Sequence, residues 1–387
     1  MARIDLEGIT KKFGDTTALD DISLTVKDNE FFVLFGPAGA GKTTLLKTIA
    51  GIEFPQKGLV KINGEIVNHV EPMYRNISMV FENYALYPQL NVYDNIAFPL
   101  RSKLYKKSED EIKKAVTRVT EMMSIGNLLD RKPSQLSNGQ RQRVAIGRCL
   151  VRDPAAFLMD EPLAHLDAKL RHLMRGELKE MQSSINSTTI YVTHDYMEAM
   201  SLADRIAIVN FGKLVQVGTS AEMFFTPKNE FVAKLFGEPE INIFPAEVCC
   251  EKNELKLKMF HGNVPVSLTK SAAFALDKYN SKTVDVGIRG RDIEFCFTKE
   301  EGDWFKGTVF ACEPIGNKVI LTVDVENTNI RVVAPNNTRA DLDMDIYIKF
   351  HTDRMLLFNE QTKELIANCG GSRASQSSEK PESAVNQ

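Results

Sequence analysis

Residues 31–46 read Phe31-Phe32-Val33-Leu34-Phe35-Gly36-Pro37-Ala38-Gly39-Ala40-Gly41-Lys42-Thr43-Thr44-Leu45-Leu46. An unbroken apolar run meets a glycine-rich loop, and the loop opens onto a helical pattern. The apolar run predicts a strand buried on both faces, which belongs to a parallel sheet. Residues 36–43 match GxxxxGK[ST] between a strand and a helix, the context this motif requires. Glycines let backbone N–H groups turn inward around phosphate oxygens, where a Cβ would crowd them. The helix adds its positive N-terminal end. Lys42 is placed to reach the outer phosphates of a nucleotide, and Thr43 to offer a hydroxyl to Mg²⁺. A plain glycine-rich turn is the other reading of the segment alone.

Two further strands end in chemistry. Ala155–Pro162, "AAFLMDEP", finishes on Asp160 and Glu161. A buried strand aims such carboxylates at the C-terminal edge of the sheet, where ligands of open α/β sheets bind. Asp160 suits Mg²⁺, and Glu161 suits the orientation and deprotonation of a water molecule. Thr189–Ala199, "TIYVTHDYMEA", carries His194 at a strand end, placed to donate a hydrogen bond to the terminal phosphate. A solitary histidine is more often structural, and its position in the same sheet argues for the functional role.

The remaining chain fits this frame. Strands are expected at 31–35, 77–81, 156–159, 189–192 and 205–209, and helices at 42–50, 109–123, 139–151 and 168–184. From about residue 241 the texture changes to short period-two segments such as "TVDVGIRG", "KVILTVDV" and "IYIKF". These predict a small all-β barrel or sandwich. Residues 370–387 hold few large apolar side chains and are expected to be disordered. The 387 residues fit two domains, with 43 % hydrophobic and 26 % charged residues and a net charge of −3. No apolar window is long enough to span a membrane, and no secretory leader is recognisable. The six cysteines show no CxxC spacing and read as reduced thiols in cytosol.

The segment Leu136-Ser137-Asn138-Gly139-Gln140, followed by a basic helix, resembles the signature of ABC-transporter ATPases. With the phosphate loop, "FLMDEPLAHLDAKLR" and "YVTHD", the motifs appear in that family's order. The sequence is most similar to the importer ATPases of the maltose and glycerol-phosphate type, over about residues 3–360. "FVAKLFGEPEINIFPAEV" resembles the join to that group's C-terminal domain, and "VGIRGRDIEF" its recurring strand pair. The resemblance implies an α/β P-loop NTPase domain (residues 1–238) with a helical subdomain at about 85–150. An OB-like (TOBE-type) all-β regulatory domain at 239–369 would follow, and then the tail.

The resemblance also implies the site. Gly36, Pro37, Ala38, Gly39, Ala40, Gly41, Lys42, Thr43 and Thr44 would hold ATP, with Phe13 stacked on adenine. Ser137, Gly139 and Gln140 would contact the nucleotide of a second subunit, and Asp167 would cross the seam between the two. Thr43, Asp160 and Glu82 would bind Mg²⁺; Glu161, His194 and Glu82 would serve hydrolysis. The implied partners are a second ABC subunit, identical or different, two membrane-spanning permeases and an extracytoplasmic solute-binding protein. The implied location is the cytoplasmic face of the cell membrane. The implied cargo is a carbohydrate or polyol, with polyamine, sulfate or iron as alternatives. A soluble ATPase acting on nucleic acid is disfavoured by the resemblance, because such relatives usually carry two nucleotide domains in one chain or long coiled-coil insertions. In the β region, acidic side chains outnumber basic ones over 241–369, which argues against a nucleic-acid groove.

Two positions depart from the family pattern. Asn138 stands where glycine is usual, and Glu82 where glutamine is usual. Glu82 closes the strand in "SMVFENYALYP" and keeps an oxygen ligand while adding charge beside the outer phosphate. The following residues Tyr84, Leu86 and Tyr87 are expected to be exposed and, by the resemblance, to anchor the membrane subunits.

Overall fold

The computed structural model describes residues 2–370 except 186, 252–253, 261–263, 269 and 280–281. The tail expected to be disordered lies, from residue 371, outside the described residues. The chain divides into two compact units, 1–220 and 221–387.

The first unit opens with a hairpin, β1 (Ile4–Phe13) and β2 (Thr16–Val26), then β3 (Phe31–Phe35) and helix α1 (Lys42–Ala50). β4 (Lys57–Ile62), β5 (Glu65–Ile66) and β6 (Ile77–Val80) lead to three helices, α2 (Val92–Ala97), α3 (Glu109–Met122) and α4 (Asn138–Leu150). Then come β7 (Ala156–Asp160), α5 (Ala168–Ile185), β8 (Thr188–Thr193), α6 (Tyr196–Leu202), β9 (Arg205–Asn210) and β10 (Lys213–Gly218). The central sheet runs β10-β9-β3-β8-β7-β6, parallel except at β10. Every residue of β3, β7 and β8 is buried, as the apolar runs of β3 and β7 required.

A second, antiparallel sheet of order β2-β1-β4-β5 was not anticipated. Its inner face (Ile4, Leu6, Ile22, Val60) joins one core with Phe32, Leu45 and Val192 of the parallel sheet and α1. The helices begin on strong local signals. Ser108 and Glu111 form a capping box at α3, and Ser137 and Gln140 form another at α4.

Helix α7 (Ser220–Phe225) starts at the boundary, and the second unit goes on with α8 (Glu230–Leu235), β11 (Asn242–Glu251), β12 (Glu254–Met259), β13 (Val264–Ser267) and α9 (Lys270–Tyr279). It continues with β14 (Thr283–Ile288), β15 (Ile293–Cys296), β16 (Phe305–Ile315), β17 (Lys318–Val325), β18 (Thr328–Pro335), β19 (Asp345–Phe350), β20 (Leu356–Asn359) and β21 (Leu365–Asn368). Two antiparallel sheets, β13-β12-β11-β14-β20-β21 and β15-β19-β16-β17-β18, share a core. Phe244 and Phe260 of the first sheet's side meet Phe305 and Phe350 of the second, with ring centroids 5.3–6.0 Å apart. The β architecture matches the period-two pattern. The expectation of β structure alone is corrected by α9, whose Ala272 and Leu276 enter that core.

One buried cation ties α1 to the chain that follows it. Arg75 is 5 % exposed and donates to Thr48 O and Ile49 O in the last turn of α1, and to Val67 O and Val70 O. It thus satisfies helix carbonyls that have no partner within the helix. Gly51 leaves room for it, because a Cβ there would lie 2.5 Å from the guanidinium carbon. Thr48 O and Val67 O also accept from Gly51 N and Val70 N, so replacing Arg75 by Ala strands Ile49 O and Val70 O in the core. Urea unfolding is expected to show a loss of about 3 kcal/mol or more. A loss below about 1 kcal/mol would mean that water takes over the carbonyls.

Candidate nucleotide site

The loop between β3 and α1 lies among three other backbones. A Cβ on Gly36 would meet Val209 O at 2.1 Å, and one on Gly41 would meet Ala18 O at 2.5 Å. Both glycines also have positive φ, 153° and 105°, as does Gly39 at 75°. α1 starts with no side-chain cap at Gly41. Its first-turn N–H groups therefore open onto a cleft of about 430 Å³ lined by residues 38–44, Thr16, Thr17, Ala18, Glu161, Phe211 and Gly212. An uncapped helix N-terminus with close backbone approach fits a phosphate chain.

Lys42 is 4 % exposed. Its Nζ donates to Gly36 O and Pro37 O, each at 2.9 Å, and lies 3.7 Å from Glu161 Oε1. Burial lowers its pKa, opposed by Glu161 and then Asp160. Thr43 Oγ1 donates to Asp160 Oδ1 at 2.8 Å. Asp160 is pushed up, first by burial and then by the charges of Glu161 and Glu82, against the Thr43 hydrogen bond. Glu161 follows β7 with φ 43°, a backbone conformation that non-glycine residues rarely keep without a functional reason. Its Oε2 shares a 2.8 Å hydrogen bond with Nδ1 of His194 at the end of β8. Two contact groups result, Thr43 with Asp160 and Lys42 with Glu161 and His194, and they adjoin along the chain at 42–43 and 160–161.

These oxygen donors suit Mg²⁺ in kind. Among the described residues no cluster of three His, Cys, Asp or Glu side chains could hold a metal ion alone. A metal here needs nucleotide and water oxygens beside Thr43 and Asp160.

The other expected residues fall elsewhere. Phe13 is 47 % exposed at the end of β1, opposite Thr16 of the cleft, with Lys11 Nζ 4.8 Å from its ring. Ser137 caps α4 and bonds Gln140, while Gly139 lies against Leu170. Asp167 Oδ1 accepts from Leu170 N at the start of α5. Residues 137–140 and Asp167 do not line the phosphate-loop cleft of their own chain.

Glu82 lies more than half exposed, with Oε1 3.6 Å from His165 Nε2. His165 O also accepts from Asn138 Nδ2 at 3.4 Å. The two departures from the family pattern thus meet at one histidine, which the sequence reading did not single out. Only its place in "LAHLD", between Glu161 and Asp167, could have drawn attention to it.

Tyr84 corrects an expectation: it is 5 % exposed, whereas Leu86 and Tyr87 are partly exposed. Tyr84 and Ala85 both have positive φ, 62° and 45°, which turns the ring inward. Arg148 near the end of α4 holds the turn, donating to Ala85 O at 2.7 Å and Tyr84 O at 3.0 Å. Asn95 of α2, fully buried, clamps both the N–H and C=O of Tyr87.

A six-stranded sheet with a phosphate loop, a carboxylate pair at the end of β7 and a histidine at the end of β8 defines a P-loop ATPase. The family model for ABC transporters matches residues 19–164. The trehalose/maltose import ATP-binding protein MalK of Thermococcus litoralis is 40 % identical over 95 % of this chain and 100 % of its own length. The trehalose import ATP-binding protein SugC of Mycobacterium tuberculosis is 51 % identical over 76 % of this chain and 73 % of its own. A dimeric ATP-binding cassette solved with ADP and Pi superposes with a TM-score of 0.51 at 30 % identity, covering 56 % of this chain and 98 % of that one. The cassette cbiO1 of Clostridium perfringens gives 0.53 at 29 % identity, covering 57 % and 90 %. The chain belongs to the ATP-binding proteins of ABC transporters, and it is an ATPase.

The buried carboxylate makes one property of the ligand-free protein testable. The folded pKa of Asp160 lies above its unfolded value, so the native state holds more protons between the two. The ionised form therefore costs stability above the folded pKa, and this cost fades as pH falls through it. Asp160→Asn keeps an acceptor for Thr43 without the charge. It should be more stable than the parent at pH 7 in urea, and this advantage should shrink toward pH 4. Equal stability at both pH values would show that the site tolerates the charge.

Proposed function

We propose that this chain powers the import of a carbohydrate or polyol across the cell membrane. One observation carries the proposal: the likeness to the trehalose/maltose protein runs through 100 % of that protein, including its C-terminal part. Relatives named for xylose/arabinose and sn-glycerol-3-phosphate import match over 95 % of the chain as well. Residues 1–238 act as the nucleotide-binding domain and 239–369 as a regulatory domain.

ATP binds with its phosphates in the loop 36–44 and its base on Phe13. Lys42 exchanges the carbonyls of Gly36 and Pro37 for phosphate oxygens, and Thr43 and Asp160 hold Mg²⁺. When bound, Mg²⁺ neutralises charge on the outer phosphates. Glu161 takes a proton from water as its oxygen bonds to the terminal phosphorus; the bond to the bridging oxygen breaks and ADP leaves with the electron pair. His194 orients Glu161 and donates to the transferring group.

Ser137, Gly139, Gln140 and Asp167 serve the ATP of a second subunit. None of them lines the cleft of its own chain, which supports this. A dimer then docks on two permeases at the cytoplasmic face, with an extracytoplasmic solute-binding protein delivering cargo. No described helix is long and apolar enough to cross a membrane.

In the assembled transporter, Glu161→Gln should lower ATP hydrolysis by about 10²–10⁴-fold and leave ATP affinity nearly intact. Retained hydrolysis would remove Glu161 from the proton transfer. Deleting the protein should abolish uptake of one labelled sugar or polyol; unchanged uptake of all of them would overturn the cargo class.

Glu82 stays in the proposal as a metal and water contact, since its charge already acts on Asp160. Glu82→Gln should shift the Mg²⁺ concentration giving half-maximal hydrolysis. An identical Mg²⁺ curve would leave Glu82 as the partner of His165 alone.

A further inference from the structure

β9 and β10 are joined by two residues, Phe211 and Gly212, with Asn210 paired to Lys213. Their φ values are 46° and 73°, the signature of a type I′ turn. That turn favours Asn, Asp or Gly at its first position, because a side chain with a Cβ is strained there. A phenylalanine is among the poorer choices. It is also the most exposed large hydrophobic side chain among the described residues, at 85 %. Both the backbone and the solvent disfavour it, so neither folding nor solubility accounts for its presence.

The turn has no freedom to relax. Gly212 N donates to Ala40 O of the phosphate loop at 2.9 Å, and Gly212 O accepts from Asp20 N at 2.8 Å. A Cβ on Gly212 would meet Ala18 O at 2.7 Å. The backbone is thus wedged between β2 and the phosphate loop, and it fixes where the ring projects. The ring lines the cleft together with Thr16, Thr17, Ala18 and residues 38–44.

We propose that Phe211 is a nucleotide-contact residue whose ring packs on the nucleoside half of the bound nucleotide. The phosphates belong to the glycine loop and the N-terminus of α1. The rest of the cleft wall, Thr16 to Ala18 and Phe211, therefore faces the sugar and base. Phe13, opposite Thr16 across the hairpin, stands at the same end. An exposed aromatic edge beside a base or ribose loses its solvent penalty when the ligand arrives, and strain kept at a binding site follows the general pattern.

This inference rests on residues 36–44 being the phosphate loop, and its test separates the two. With the full-length chain, Kd is measured for ATP and for inorganic tripolyphosphate. Phe211→Ala should raise the ATP Kd about three- to tenfold and leave that of tripolyphosphate unchanged. Phe211→Tyr should bind ATP as the parent does. Phe211→Gly should lose affinity as alanine does while raising Tm, since glycine accepts the positive φ.

An unchanged ATP Kd in both the alanine and glycine variants overturns the proposal. So does equal weakening of ATP and tripolyphosphate, which would show only a disturbed loop. Lost self-association at unchanged ATP affinity would assign the ring to a second copy of the chain instead. Lys42→Ala should weaken both ligands; if it does not, the phosphate-loop reading fails, whatever Phe211 does.

Discussion

The absence of space for a Cβ around the phosphate loop governs the first unit. The loop passes within contact distance of the carbonyl of Val209 at the end of β9 and of the carbonyl of Ala18 in β2. One of those strands belongs to the parallel sheet and the other to the antiparallel sheet. The loop can occupy this place only if both sheets are docked on a shared core. Conversely, any side chain at Gly36 or Gly41 would push the sheets apart. The tolerances of the site are therefore those of the core.

Charge follows the same logic. Lys42 and Asp160 are both nearly buried, and burial drives their pKa values in opposite directions, each toward neutrality. The ligand-free site keeps them with partial partners: two carbonyls and Glu161 at 3.7 Å for the amine, and one hydroxyl for the acid. Such a site is costly when empty; phosphate would supply a counter-charge to the amine, and a cation one to the acid. Burial, which isolates the chemistry from water, also makes the folded state depend on the ligand.

What the sequence revealed was mainly what is local. β3 and β7 announce themselves as apolar runs because both of their faces are covered, and β8 as a β-branched and aromatic run. The phosphate loop, Asp160–Glu161 and His194 are each contained within a few residues of a strand end. The hairpin β1–β2 escaped notice because register shifts after Leu6, Ile9 and Lys11 break its alternation. α9 escaped because ten helical residues sit between short strands of similar texture. Tyr84 was misjudged because no pattern of residue types announces two successive positive φ values. Arg148, Asn95 and His165 act on backbone or side-chain groups distant in sequence or outside any repeating spacing, so the linear chain gave no mark beyond the place of His165 in "LAHLD".

Helix α4 joins two features at opposite ends. Ser137 caps its start, and Arg148, in its last turn, grips the carbonyls of Tyr84 and Ala85. Thirteen residues make a rod of about 20 Å. The helix therefore sets the spacing between its capped start and the turn at Tyr84 and Ala85, and a side chain lost at either end would leave the other without that fixed reference.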